Sequence, residues 1–294
     1  MIAAYPADSD VPAFWQDLGL PGLIDVHTHF MPDAVMAAVW RYFDEGVDHY
    51  GVEWNVHYRG DEPTRLSQLD AMGVRAFPAL FYAHKPGMAE GLNVWGREFA
   101  SRVPHSIPSA TFYPEADATR YVADALEWGA RIFKVHVQVG DFDPREGLLD
   151  NVWGMVSDAG VPVVVHCGSG PMPGRHTGPG PFAEVLARHP RLTAVIAHAG
   201  MPEYDEHTDL VEMYPNVYLD TTMVGTDFLN AMAAPSLEVV RRWQVLQDRI
   251  VLGSDFPNIP YSYGHQLHAL ERLGLGEEWL RAVCWHNPKR LLEL

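Results

Sequence analysis

Gly22-Leu23-Ile24-Asp25-Val26-His27-Thr28-His29-Phe30 is an apolar run that ends in two histidines one residue apart. In an extended strand successive side chains alternate between faces, so His27 and His29 project to the same side. Imidazole is the commonest protein ligand for transition metals, and two on one face fix two corners of a site. A chain with 15 histidines contains some His-x-His pair by chance. The weight therefore falls on what the rest of the chain does.

Downstream, short apolar runs recur in a βα rhythm. The pattern predicts further strands at 74–81, 107–112, 131–137, 161–166, 192–198, 217–220 and 250–255. Helices are expected at 32–43, with an apolar stripe at Val35, Val39 and Phe43, and at 117–128 and 148–159. Another ends near Leu69-Asp70-Ala71-Met72-Gly73. Gly73, Gly129 and Gly160 fall where a helix turns left-handed before re-entering a sheet. Prolines inside the second, third and fifth strands make those boundaries awkward. Eight strands alternating with helices predict an α/β fold, a (β/α)8 TIM barrel, with 1–294 as one domain. No glycine-rich dinucleotide or phosphate-binding motif follows the first strand, which weakens a doubly wound alternative. Residues 1–22 are a polar lead-in with an amphipathic piece around Phe14, Trp15 and Leu18. Residues 46–62, with Tyr50, Trp54, His57 and Tyr58, form a loop long enough to be a lid or a substrate contact. The segment from Trp279 to Leu294 is expected as a helix broken near Asn287-Pro288 and packed outside.

Composition bounds the function. A formal net charge of −17 repels phosphates, which argues against nucleic acid and anionic membranes as partners. Two cysteines, Cys167 and Cys284, imply no disulfide framework. With no signal-like N-terminus and no apolar run of membrane-spanning length, a reducing cytoplasm is the expected location.

In a barrel the carboxyl ends of the strands converge on one face. The first strand ends in His27 and His29, the fifth in His166, the sixth in His198 and the eighth in Asp255. One histidine at a strand end is more often a core or surface group. Several strand ends obeying the same rule point to a metal site.

These segments resemble a family. Ile24-Asp25-Val26-His27-Thr28-His29, Pro162-Val163-Val164-Val165-His166, Ile196-Ala197-His198-Ala199-Gly200 and Leu252-Gly253-Ser254-Asp255-Phe256-Pro257 are similar to the amidohydrolase superfamily. The closer resemblance is to its amidohydrolase-related branch, which includes the aminocarboxymuconate-semialdehyde decarboxylase-like proteins. Asn287-Pro288-Lys289-Arg290-Leu291-Leu292 resembles the tail of that branch. The resemblance implies that His27, His29, His166 and Asp255 ligate one divalent metal, most often zinc, with His198 beside the water. Neutral imidazoles with one carboxylate suit Zn²⁺ and leave a position for an activated water. Asp255 is then the general base, and His198 orients the water, polarises the substrate oxygen, or orients a ligand. Relatives are commonly dimers, so a homodimer is expected.

Lys134 shares a strand face with His136. Some relatives carboxylate a lysine on this strand to bridge a second metal, whereas the close branch mostly uses one. His136 lines the pocket, ligates weakly, or is a buried histidine bonded to backbone. Cys167 points to the face opposite His166 and is no nucleophile. Arg175, in the glycine- and proline-rich loop 168–176, and more weakly Arg59 and Arg75, are candidates to pair with a substrate carboxylate. Arg175 reads more readily as a solvated loop arginine. Asp205-Glu206-His207 and Asp220 add polar groups near the rim without a specific role. The leading function is hydrolysis of a small ester, lactone or amide by a zinc-activated water. The alternative is metal-dependent non-oxidative decarboxylation of an aromatic or unsaturated acid. A non-catalytic metal-binding barrel is a third reading, favoured only if protein groups close every metal position.

Overall fold

The computed structural model describes residues 7–294. The reading made above for residues 1–6 lies outside them. Strands follow one another around a cylinder: β1 (Leu23–Ile24), β2 (Val74–Pro78), β3 (Ser106–Ile107), β4 (Ser109–Thr111), β5 (Ile132–His136), β6 (Val163–His166), β7 (Ala194–Ile196), β8 (Val217–Asp220) and β9 (Ile250–Val251). Every pairing is parallel, in chain order. Pro108 has no N–H to donate, and it divides the third strand position into β3 and β4. The other two awkward prolines also sit at margins, Pro78 ending β2 and Pro162 preceding β6. Val26 N–H donates to Leu252 O and Asp255 N–H to His27 O, both at 2.8 Å, and Thr28 bridges to Phe256. First and last strands are thereby joined, and the fold is a (β/α)8 barrel.

The alternation of apolar side chains builds two cores. Ile24, Val26, Ala76, Ile132, Val164, Val195 and Val251 fill the barrel interior. Their strand neighbours, among them Phe133, Val163, Val165 and Leu219, pack outwards on the helices. Burial on both faces is why the strand Val163-Val164-Val165 is apolar throughout. The same parity continues to the strand ends, so that Ile132, Lys134 and His136 share one side and Val164 and His166 share it too.

Several expected bounds change. Regular pairing of the first strand covers only Leu23–Ile24, because beyond it the backbone hydrogen-bonds alternately to the second and last strands. The strands expected at 74–81, 192–198 and 250–255 stop earlier, at Pro78, Ile196 and Val251. Their last residues turn away from the sheet to reach the mouth. Helices Asp33–Asp44, Ala118–Glu127 and Gly147–Ala159 lie where expected, and the helix Glu62–Met72 ends on Gly73 at φ 79°. A helix Ala89–Arg102, not foreseen, links β2 to β3. The lead-in folds as a helix, Val11–Asp17, and the 46–62 loop begins as one, Gly46–Tyr50.

The C-terminal segment also departs from expectation. It runs through Glu277–Arg281, a π-helical turn Ala282–His286, and Asn287–Leu291 without a break at Pro288. Pro288 has no N–H to continue the ladder, and in the π-helical turn before it the Val283 carbonyl accepts from Leu252 N–H instead. Leu291 and Leu292 join the interior cluster, and Arg131, beside the start of β5, donates to Leu292 O. The tail thus closes the barrel from its amino-terminal end rather than lying only outside.

Candidate metal centre

The carboxyl ends of the strands face a cavity of about 680 Å³, mouth included. His27, His29, Lys134, His136, His166, His198 and Asp255 all line it. His29 Nε2 lies 2.8 Å from Asp255 Oδ1, and His27 Nε2 lies 3.5 Å from the same oxygen. Ligand atoms of these three residues fall within 4.8 Å of one another. All three residues are buried.

Each imidazole is fixed from behind. His29 Nδ1 is 2.5 Å from Leu80 O, which can only accept, so Nδ1 carries the proton. His27 Nδ1 donates to Asp220 Oδ2 at 2.8 Å, with Thr222 Oγ1 3.0 Å away. Asp220 Oδ1 accepts the main-chain N–H groups of His198 (2.8 Å) and Thr222 (3.0 Å). Both Nε2 lone pairs therefore look into the cavity. His29 Nε2 and Asp255 Oδ1 stand at hydrogen-bond distance, an arrangement that needs a positive charge between them, either a proton or a metal ion. Such a donor set, two neutral nitrogens and one carboxylate with their outer atoms tied, fits a divalent cation.

Electrostatics favours neutral imidazoles at His27, His136, His166 and His198 and ionised carboxylates at Asp255 and Asp220. Burial, reinforced by the Lys134 charge, lowers His27 to about 3. Burial likewise holds His136 and His166 well below the ordinary histidine value, and lowers His198. Burial opposes ionisation of Asp255, but the His29 hydrogen bond and the surrounding histidines outweigh it and hold the carboxyl well below its usual range. The same contest, won by His27 and its neighbours, keeps Asp220 ionised. Asp25, two residues before His27 in the same extended run, goes the other way: burial pushes it up to about 7, while Ser254 and Tyr263 hydroxyls donate to it.

The remaining expected residues divide into those the site uses and those it does not. His166 shares the cavity but stands apart from the three-residue group, with Nε2 3.1 Å from Gly170 O. Its ring stacks on His136 at 3.8 Å, because β5 and β6 pair His136 with His166 in register. His198 sits 5.3 Å from the His27 ring and 4.7 Å from that of His166. Its left-handed backbone (φ 54°), like that of Asp255 (φ 72°), is strain of the kind functional sites retain. Lys134 is buried, its Nζ 3.1 Å from His27 Nε2, and burial lowers its amine to about 8. From the 46–62 loop, Tyr50 and Trp54 line the cavity, whereas His57 is exposed and Tyr58 packs beneath, bonded to Asp8.

Arg175 is exposed, Arg59 pairs with Asp44, and Arg75 is held at Asp70 and Pro21. None of the three lines the cavity. Asp205 pairs with Arg242, and His207 is buried with Nδ1 donating to Glu203 O. Asp220, for which the sequence reading named no specific role, holds His27 from behind, and it ends the run Val217-Tyr218-Leu219-Asp220 as His166 ends its own. Tyr82, Thr222 and Asn258 were missed, because the signal used was a His or Asp closing an apolar run and none of the three is of that type.

A family model described as amidohydrolase matches residues 24–294. No curated protein matches the chain in sequence. Among solved structures, an uncharacterized TIM-barrel protein from Bordetella bronchiseptica superimposes with a TM-score of 0.73 at 18% identity, over 92% of this chain and 99% of its own. The 5-carboxyvanillate decarboxylase LigW from Sphingomonas paucimobilis gives 0.62 at 16%, over 93% and 99%. A probable 2-pyrone-4,6-dicarboxylic acid hydrolase from Acinetobacter baumannii gives 0.62 at 13%, over 93% and 100%. At such identities the likeness is one of fold.

Proposed function

The chain belongs to the amidohydrolase family, and on that premise we propose that it is a metal-dependent hydrolase of a small ester, lactone or amide. The observation that carries this reading is the convergence of His27 Nε2, His29 Nε2 and Asp255 Oδ1 on one buried point. His166 is the proposed fourth ligand, and zinc suits the set best. A bound divalent cation would supply Lewis acidity, polarising a carbonyl and making water acidic near neutral pH.

The residues supply the rest. Asp255, ionised at all working pH values, accepts the proton of the attacking water and returns it to the leaving group. His198 stands between His27 and His166, placed to donate to the developing oxyanion. Asp220 holds the His27 tautomer. Tyr50 and Trp54 cover the mouth and restrict water. The alternative of a second cation, bridged by a carboxylated Lys134, is supported only by that lysine's burial beside His27.

Decarboxylation is the weaker reading. It needs a cation to seat the substrate carboxylate, and Arg59, Arg75 and Arg175 face elsewhere. Metal analysis of the purified protein, coupled to a screen of lactones, amides and aromatic acids, tests the proposal. Acid release with uptake of water supports hydrolysis; CO₂ without net addition of water would replace it with the alternative.

A further inference from the structure

Asn258 follows Asp255 by three residues, is buried, and lines the cavity. Its main-chain N–H donates to Asp255 O at 2.8 Å, and its carbonyl accepts the Trp54 indole N–H at 2.6 Å. The side-chain Oδ1 accepts from Trp40 Nε1 at 3.1 Å. An indole nitrogen only donates, so this contact decides which end of the carboxamide is oxygen. Nδ2 is therefore turned away from Trp40, and no acceptor among the described residues takes its hydrogens. Trp40 is steadied in turn by the Arg65 guanidinium 5.4 Å over its ring. A donor held this firmly and left unused faces ligand.

The surroundings say what kind of ligand. Phe43, Tyr50 and Trp54 pack their rings together on the cavity, and Met223 and Leu229 add to its apolar lining. Among the described lining residues Lys134 is the only lysine or arginine, and its Nζ already contacts His27 Nε2. A carboxylate turned towards Asn258 and away from the metal ligands would lose its water without gaining a cation, whereas a carbonyl or ester oxygen needs only the one donor.

We propose that Asn258 is the specificity-determining donor of this site, holding an uncharged oxygen of a ring-bearing ester, lactone or amide and disfavouring a carboxylate there. The substrate class rests on the hydrolase reading above; the donor role does not.

The test uses metal-loaded protein with acetophenone and benzoate as probes of similar size, and phenyl acetate to report turnover. Selective ¹⁵N-asparagine labelling puts a signal on Nδ2 itself. Acetophenone is expected to shift the Asn258 side-chain resonance, and benzoate, whose carboxylate a bound cation would hold, to shift it at least several-fold less. Asn258→Leu and Asn258→Asp should each weaken acetophenone binding about 10-fold with metal content unchanged. Trp40→Phe, which frees the carboxamide to turn, should fall between them and wild type. Equal acetophenone affinity in wild type and Asn258→Leu, an Asn258 shift as large with benzoate as with acetophenone, or no binding of either probe would overturn the proposal. Should the variants lose metal or stability, the wild-type resonance decides, and an unshifted Nδ2 signal rejects the donor. A shifted signal without turnover of phenyl acetate supports the donor and counts against the hydrolase reading alone.

Discussion

Asp220 Oδ2 and His27 Nδ1, from the seventh and first strand positions of the barrel, lie 2.8 Å apart with both side chains buried. The other Asp220 oxygen is already committed to the N–H groups of His198 and Thr222. In Asp220→Asn the amide nitrogen must therefore turn to His27, which makes Nδ1 an acceptor and places the ring proton on Nε2. A protonated Nε2 cannot bind a cation. Metal affinity should fall about 10- to 100-fold while the barrel persists. Competition with a chelator, read beside circular dichroism, measures both, and a variant with wild-type affinity would remove tautomer control from Asp220.

His198 differs from the ligands in what its loss should do. His27→Ala is expected to lose metal and activity together. His198→Asn should keep the metal but lose turnover by about 100-fold, because the ring stands beside the group rather than in it. Metal content by plasma emission, with kcat on the same preparation, separates the two cases. Undiminished kcat in His198→Asn would take this residue out of the mechanism.

The residues of the site were readable for one reason: an apolar strand that ends abruptly on a polar residue in a barrel delivers it to a known face. His166 and Asp220 end their strands, while His27, His29, His198 and Asp255 lie past the paired residues, in the apolar runs that carry each strand on towards the mouth; the importance of Asp220 shows only once its contact with His27 is seen. Asn258 and Tyr82 follow strand ends inside irregular chain, where neighbours across space rather than in sequence decide their role. Helix Ala89–Arg102 was hidden by its own buried face. Asn93 sits there because it exchanges hydrogen bonds with the Thr111 backbone, and Gly96 because Phe81 fills the space a Cβ would need. A polar residue and a glycine at core positions erase the apolar period by which a helix is recognised. Strand lengths were overread because the residues that leave the sheet for the mouth remain as apolar as those within it.

Cys167 illustrates the parity rule from its other side. It follows His166 and points away from the cavity, its Sγ 3.7 Å from His207 Nε2, and burial pushes the thiol up to about 12. Cys284 is buried as well, and burial raises it too. Near neutral pH both thiols are therefore held in the unreactive protonated form. Native protein should react with an aromatic disulfide reagent at less than one thiol per chain over minutes, and with both after unfolding in guanidinium. Rapid native labelling would mean that the helix carrying His207 opens readily.

The tail that closes the barrel gives a prediction about stability. Asn287 Nδ2 donates to Gln247 O at 2.6 Å and Ile250 O at 2.8 Å, and so ties the last helix to the start of β9. Asn287→Ala leaves both carbonyls without that donor in a buried place and should cost about 1–3 kcal/mol. Leu292→Ala, which opens a void among the interior side chains, should cost about 2–4 kcal/mol. Asn287→Asp is expected to be at least as damaging as the alanine, because a carboxylate would face two carbonyl oxygens. Each loss should appear as a lower urea midpoint at unchanged slope, with metal content retained below the transition. Variants that lose metal before they lose structure would instead couple this end of the barrel to the site at the other.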